Sequence, residues 1–458
     1  MVFAAVAVLL ITVVAAIFIT NGLFSAKDQE FYVGVTFCGN TTAEAKVLID
    51  KVKGYTNLFV LQSGPIQENI TTINEIGDYA VDSGLNLMLY FGTDKALLMK
   101  NWLDTYDGHW NASFLGFYYG DELGGKMLDN ERQFYDQQTQ SSIMKFADGR
   151  ISGYKIDPNT SVTYRRDGTI IAESLAGLSP SSERWSFTTY YPNGTVTVTT
   201  QEMTSGQRTV EYNSNAPYTY EELWNARPFQ SFNETAERFV HEIDFVLNRF
   251  GPKANFTYLT SDYGLYWFDY LGGYDTVLAQ LGWNHSTTQD IALVRGAANL
   301  QNRSWGTIIT WKYMQPPYLA GGQEIYDQMR TSYECGAKYV VIFNYAENMT
   351  GTYGTLQEEH FQALQRFWND VVQNPFENQG SVKAEAAFVL PKNYGWGMRN
   401  AQDTVWGLWQ PTEQYSQIWP NLQSALDRYG QKLDIVYEDP AYPLSGRYPT
   451  IIYWNQTA

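Results

Sequence analysis

Residues 114–126 read FLGFYYGDELGGK, an apolar and aromatic run that stops at an acidic pair, Asp121-Glu122, followed by two glycines. A continuous apolar run suits a strand covered on both faces, as in a parallel sheet. Gly120, Gly124 and Gly125 permit backbone turns that other residues resist. The stretch therefore reads as a buried strand that delivers two carboxylates to a flexible rim at its carboxyl end. In barrels of alternating strands and helices, that end carries the catalytic groups. The plainer alternative is that the pair only caps the helix that follows or binds a loop amide.

The alternation extends outward on both sides. Upstream, 31–37, 57–62 and 86–91 read as strands, separated by helices over 42–52, about 69–83 and 96–105; the first helix lays Ala45, Leu48, Ile49 and Val52 on one face. Downstream, a helix over 221–250, interrupted at Pro228, precedes strands at 255–261, 275–281, 306–311 and 339–344, and a last helix covers 356–372. Eight strands with intervening helices make a (β/α)8 TIM barrel, an α/β fold, the natural count. It would span 31–141 and 219–376. Between these parts, 142–218 turns rich in Thr, Ser, Tyr and Gly, with Arg166-Asp167-Gly168 and Pro192-Asn193-Gly194 as hairpin signals. We read an antiparallel β insertion after strand four, either a solvated decoration or a substrate platform. A second unit, 383–458, has strands at 384–390, 433–437 and 450–454 and a helix at 415–429, as in part of an open, flavodoxin-like α/β sheet without a phosphate-binding glycine pattern. Its aromatic loop, NYGWGMRNAQDTVWGLW (393–409), is free to pack on the barrel or overhang its mouth.

Composition narrows the partners. A net charge of −17 over 458 residues argues against nucleic acid, whose phosphates need a basic surface. The aromatic share is 16%, with 34 Tyr and 14 Trp, material for a core or for the faces of sugar rings. No charged side chain occurs from Val2 to Thr20, long enough to cross a bilayer. Only Phe24-Ser25-Ala26 offers a cleavage site, so 1–24 is expected to be a membrane anchor rather than a removed signal. Asn-x-Ser/Thr triplets begin at Asn40, Asn69, Asn111, Asn159, Asn193, Asn233, Asn255, Asn284, Asn302, Asn348 and Asn455, the pattern of a glycosylated, outward-facing surface. Cys38 and Cys335 are the only cysteines, one disulfide or two thiols. His241 lies in HEIDF, which lacks the second His of a zinc-protease helix, and no metal or cofactor is expected.

An exported barrel with Glu122 ending strand four, aromatic residues ending several strands and a small α/β unit behind it resembles the retaining glycoside hydrolases of the large barrel clan. The segment 386–440, with VLPKNYGWG near its start, is similar to the small α/β domain that follows the barrel in some β-galactosidases. The resemblance implies Glu122 as general acid/base and a Glu nucleophile after strand seven. That strand ends Thr310-Trp311-Lys312-Tyr313, without a carboxylate, so the nucleophile does not carry over. Two alternatives remain. Asp262 or Glu347 faces Glu122 across the mouth, the separation setting retention at about 5–5.5 Å or inversion at about 6.5–9.5 Å. Otherwise the Asp121-Glu122 pair resembles that of the β-hexosaminidases, in which the Glu is the acid and the Asp orients a substrate acetamido group that serves as nucleophile. Adjacent residues on an ideal strand point to opposite faces, so sharing one pocket requires a bent strand end. Tyr119, Tyr263, Trp283, Trp311 and Asn344, all at strand ends, are the expected sugar contacts, and His285 is a further candidate for a substrate hydroxyl. The reading is an extracytoplasmic glycoside hydrolase-like protein with a carbohydrate partner; the rival is a barrel that binds glycan at the cell envelope without catalysis.

Overall fold

Strands form where β-branched and aromatic residues run unbroken, and the wall of the molecule is built from such runs. The computed structural model describes residues 30–129, 132–146, 148–174, 184–202, 204–249, 256–283, 285–345 and 351–457. Eight parallel strands close into a barrel: β1 (Tyr32–Phe37), β2 (Leu58–Leu61), β3 (Asn86–Phe91), β4 (Phe114–Tyr119), β5 (Thr257–Asp262), β6 (Thr276–Leu281), β7 (Ser304–Ile309) and β8 (Tyr339–Ile342), each beside its neighbour in sequence, with β8 returning to β1. The (β/α)8 expectation holds.

Period-two alternation sorts each strand into an inner and an outer set. Tyr32, Leu58, Val60, Met88, Tyr118, Leu259, Leu278, Ile308, Tyr339 and Val341 fill the barrel interior as one cluster. The intervening residues, such as Val33, Phe59, Leu87 and Phe117, join the larger core between wall and helices. The helix Thr42–Val52 buries the four residues expected of it, and its capping box at Thr41 and Glu44 satisfies its first amides.

The insertion is an eight-stranded antiparallel meander in sequence order from Arg132–Asp136 to Arg208–Tyr212. It starts before residue 142, directly after the short helix Leu123–Asp129 that follows the acidic pair. Arg238 of the barrel helix Phe232–Asn248 pairs with Asp136 at 2.9 Å and anchors its first strand. The last unit is a three-stranded parallel sheet ordered Leu433–Tyr437, Ala386–Leu390, Thr450–Tyr453. It docks on the barrel helix Thr287–Gln301, where Arg295 and Asp434, both buried, meet at 2.7 Å. Cys38 follows the carboxyl end of β1 while Cys335 precedes β8 at the opposite end of the barrel, and both are free thiols. Among the described residues no helix is long and apolar enough to cross a membrane. The anchor expected over 1–24 lies outside the described residues.

Candidate active site

The chain leaves β4 through two left-handed residues, Gly120 at φ 79° and Glu122 at φ 58°. A side chain at Gly120 would be strained in that conformation and would crowd Thr93 and Tyr274. These two bends break the strand's alternation, so Asp121 and Glu122 turn into the same cavity at the carboxyl ends of the strands. The glycines beyond them are packed rather than a flexible rim. A Cβ at Gly125 would lie 2.1 Å from the Tyr263 ring, so glycine lets the helix after the pair press against the end of β5.

The cavity, about 140 Å³, is lined by Gln62, Tyr118, Ser261, Gln280, Thr310, Trp311 and aromatic neighbours as well as the acidic pair. A hydrogen-bond network joins the two carboxylates. Tyr118 Oη donates to Asp121 Oδ1 at 2.6 Å and Ser261 Oγ donates to the same oxygen at 2.7 Å. Gln280 Nε2 donates to Ser261 Oγ at 3.0 Å and to Glu122 Oε1 at 2.9 Å. Lys126 donates to the Asp121 carbonyl at 2.9 Å and stands 3.8 Å from Glu122 Oε2. Burial pushes the Asp121 carboxyl up to about 6, helped by the neighbouring Glu122 charge and opposed by the hydrogen bonds from Tyr118 and Ser261.

Among the described residues, three polar atoms of residues that line the cavity are buried without a partner: the Trp311 Nε1 donor and the Gln62 Oε1 and Gln280 Oε1 acceptors. Leaving such groups unmet costs roughly 1–3 kcal/mol each. Trp283, Trp311 and Tyr345 wall the same space, with ring centroids 6.0 Å apart for the first pair and 5.6 Å for the second.

Several expected site residues stand elsewhere. Asp262 is fully buried and turned away from this cavity: its carboxylate accepts from the amides of Gly124 at 2.5 Å, Gly125 at 2.7 Å and Tyr263 at 2.7 Å. Burial raises it to about 7, against those hydrogen bonds, and Asp269 beside it is raised well above the usual range, by burial first and by Asp262 second. Asp262 thus holds in place the helix that follows Glu122 and does not face Glu122 across the mouth. Tyr119 is buried outside the barrel wall against Tyr258. Asn344 is buried too, its Oδ1 accepting from Thr355 and from the Leu356 amide, so it ties a loop rather than a sugar. Trp283 and Trp311 line the cavity, and Tyr263 and His285 line a neighbouring one. Glu347, Asn348, Asn284 and Asn255 lie outside the described residues. Asn40, Asn69, Asn111, Asn159, Asn193, Asn233, Asn302 and Asn455 are all exposed, as attachment of glycans would require.

Tyr118, Ser261, Gln280 and Gln62 are site residues that reading strand ends alone passes over. Alternation marks them. Gln62, Ser261, Gln280, Thr310 and Phe343 each lie two positions beyond an interior residue, respectively Val60, Leu259, Leu278, Ile308 and Val341. Asp262 and Asn344 are one position off that column and Tyr119 is on the outer set, so all three face outward.

The fold and site define a closed (β/α)8 barrel whose carboxyl-end mouth holds an adjacent acidic pair in an aromatic cavity. No protein-family model and no curated protein matches the chain. Among solved structures, the chain is similar to a GH5_18 glycoside hydrolase from Streptomyces cattleya in complex with Manb1-4GlcNAc, at 8% identity, over 93% of this chain and 99% of that one, with a TM-score of 0.45. At that identity no residue of the site is carried over from it.

Proposed function

We propose that this protein is a glycoside hydrolase acting on a 2-acetamido sugar, with Glu122 as general acid/base and Asp121 as the group that orients the acetamido. The observation that carries the reading is the turning of both adjacent carboxylates into one cavity in which, among the described residues, no other carboxylate stands. A nucleophile from the substrate fits such a site. Glu122 gives its proton to the glycosidic oxygen as the bond to the anomeric carbon breaks, and the acetamido oxygen attacks that carbon to close a five-membered ring. Asp121 accepts from the acetamido N–H, and Glu122 then takes a proton from the water that opens the ring. Trp283 and Trp311 in the cavity wall supply aromatic faces for a sugar ring. The exposed sequons and the uncharged run from Val2 to Thr20 support a location outside the cytoplasm.

The test is a panel of aryl glycosides in gluco and galacto configuration, each with a 2-acetamido or a 2-hydroxyl group. Turnover confined to the acetamido members is the expected result. Turnover of the hydroxyl members alone contradicts it, and binding without turnover across the panel points to a glycan-binding barrel.

Asp121 must be ionised to accept from the acetamido N–H. With its carboxyl raised to about 6, the rate is expected to climb with pH through that region, because the protonated form present below it competes for the same contact. Asp121→Asn should remove this acidic limb from the pH–rate profile and lower kcat by roughly 10²-fold. An unchanged limb in the variant would assign it to another group.

A further inference from the structure

We infer that the aromatic loop of the C-terminal unit completes the binding site for the departing half of the substrate, through Arg399, and that this half is an uncharged sugar residue. The inference rests on the proposed hydrolase reading. A second cavity, about 270 Å³, is lined by Glu122, Asp129, Tyr263, Trp283, His285 and Arg399. Glu122 and Trp283 border both cavities, whereas Asp121 borders only the first. An acid that protonates the leaving oxygen stands between the sugar being cleaved and the group that departs. The first cavity, with Asp121, suits the former and the second suits the latter.

The loop is built to hold Arg399 in place. Trp406 is buried against Phe239 and Phe268 of the barrel, and Gln289 of the helix Thr287–Gln301 donates to the Met398 carbonyl at 2.7 Å. Asp403 accepts from Arg399 Nε at 2.8 Å and from Nη2 at 2.6 Å, and Asp129 accepts from Nη1. The guanidinium is therefore oriented by a planar fork rather than mobile. Its charge is outweighed by Asp129 and Asp403, which disfavours an anionic ligand. Burial, and the Arg399 charge after it, keep the His285 pKa below its ordinary value, so the ring is neutral at pH 7 and offers one donor and one acceptor. Neutral His285, the Tyr263 hydroxyl, the edge of the guanidinium and the Trp283 ring together match a hydroxylated, uncharged ring.

The experiment measures binding of N-acetylglucosamine and of its β1-4-linked disaccharide by calorimetry, using full-length Glu122→Gln to prevent turnover, with and without Arg399→Ala. The monosaccharide fills one cavity and the disaccharide reaches both. Arg399→Ala is expected to weaken the disaccharide by roughly 10-fold or more, the loss of a charged hydrogen-bond donor, and the monosaccharide by no more than about 2-fold. Arg399→Lys, which keeps a cation beside Asp129 and Asp403 but loses the fork, should fall between and guards against a folding defect. Equal weakening of both sugars, no weakening of either, or no binding of either to the Glu122→Gln protein overturns the inference. Turnover of the aryl panel with no effect of Arg399→Ala overturns this inference while leaving the proposed activity standing.

Discussion

Glu122→Gln is expected to lower kcat by roughly 10²–10⁴-fold, the usual contribution of a positioned acid or base, while the protein stays folded and still binds sugar. The amide has nearly the size of the carboxylate and keeps an oxygen for the Gln280 Nε2 donor, which approaches Glu122 Oε1 at 2.9 Å. It cannot transfer a proton. The loss should be smallest for substrates with acidic leaving groups such as dinitrophenol, whose departure needs little protonation, and largest for disaccharides. That graded pattern separates lost acid catalysis from a general loss of structure, which would depress every substrate alike. Parent-like turnover of a disaccharide by Glu122→Gln would remove Glu122 from the chemistry.

Asp434→Ala is expected to destabilise the protein by roughly 3–5 kcal/mol, the range for breaking one side of a buried ion pair. Asp434 accepts from Arg295 Nε at 2.7 Å, Asn299 Nδ2 at 3.3 Å and Tyr448 Oη at 2.9 Å, and it is completely buried at the joint between the barrel and the C-terminal sheet. Removing its carboxylate leaves the Arg295 charge buried, hydrogen-bonded to the carbonyls of Gln431 and Leu433 but without its paired charge. Denaturant unfolding with circular dichroism reads the change in midpoint. Because the same joint seats the loop that carries Arg399, undocking should also weaken disaccharide binding. A change of less than about 1 kcal/mol, the size of a surface pair, would show that the joint does not couple the two units.

The barrel was legible because its signals are local. Runs such as YVGVTF and FLGFYY alternate with helical patterns whose apolar positions fall on one face, and the helices over 42–52 and 96–105 and the strands over 86–91 and 114–119 appear with the bounds read from sequence. The meander was harder to bound, because Arg132–Asp136 and Ser141–Lys145 resemble polar loop until they pair. Asp121 and Glu122 were findable from the abrupt end of an apolar run. The partners of that pair were not, because Ser261 and Gln280 are chemically plain and become site residues only through the register that sets them two positions beyond Leu259 and Leu278. Asp262 looked catalytic as an acid ending a strand. Its amide contacts depend on a helix from another part of the chain, and no local pattern reports them.

The most direct test of the central claim is the rate of hydrolysis of aryl 2-acetamido-2-deoxyglycosides whose acetyl group carries none, one, two or three fluorines. Fluorine withdraws electrons from the amide oxygen and leaves the anomeric centre and leaving group almost untouched. If the acetamido held by Asp121 is the nucleophile, kcat falls steeply and monotonically along the series, and Asp121→Asn flattens the slope. A rate independent of fluorination would mean that an enzyme group attacks the anomeric carbon, and would contradict the account.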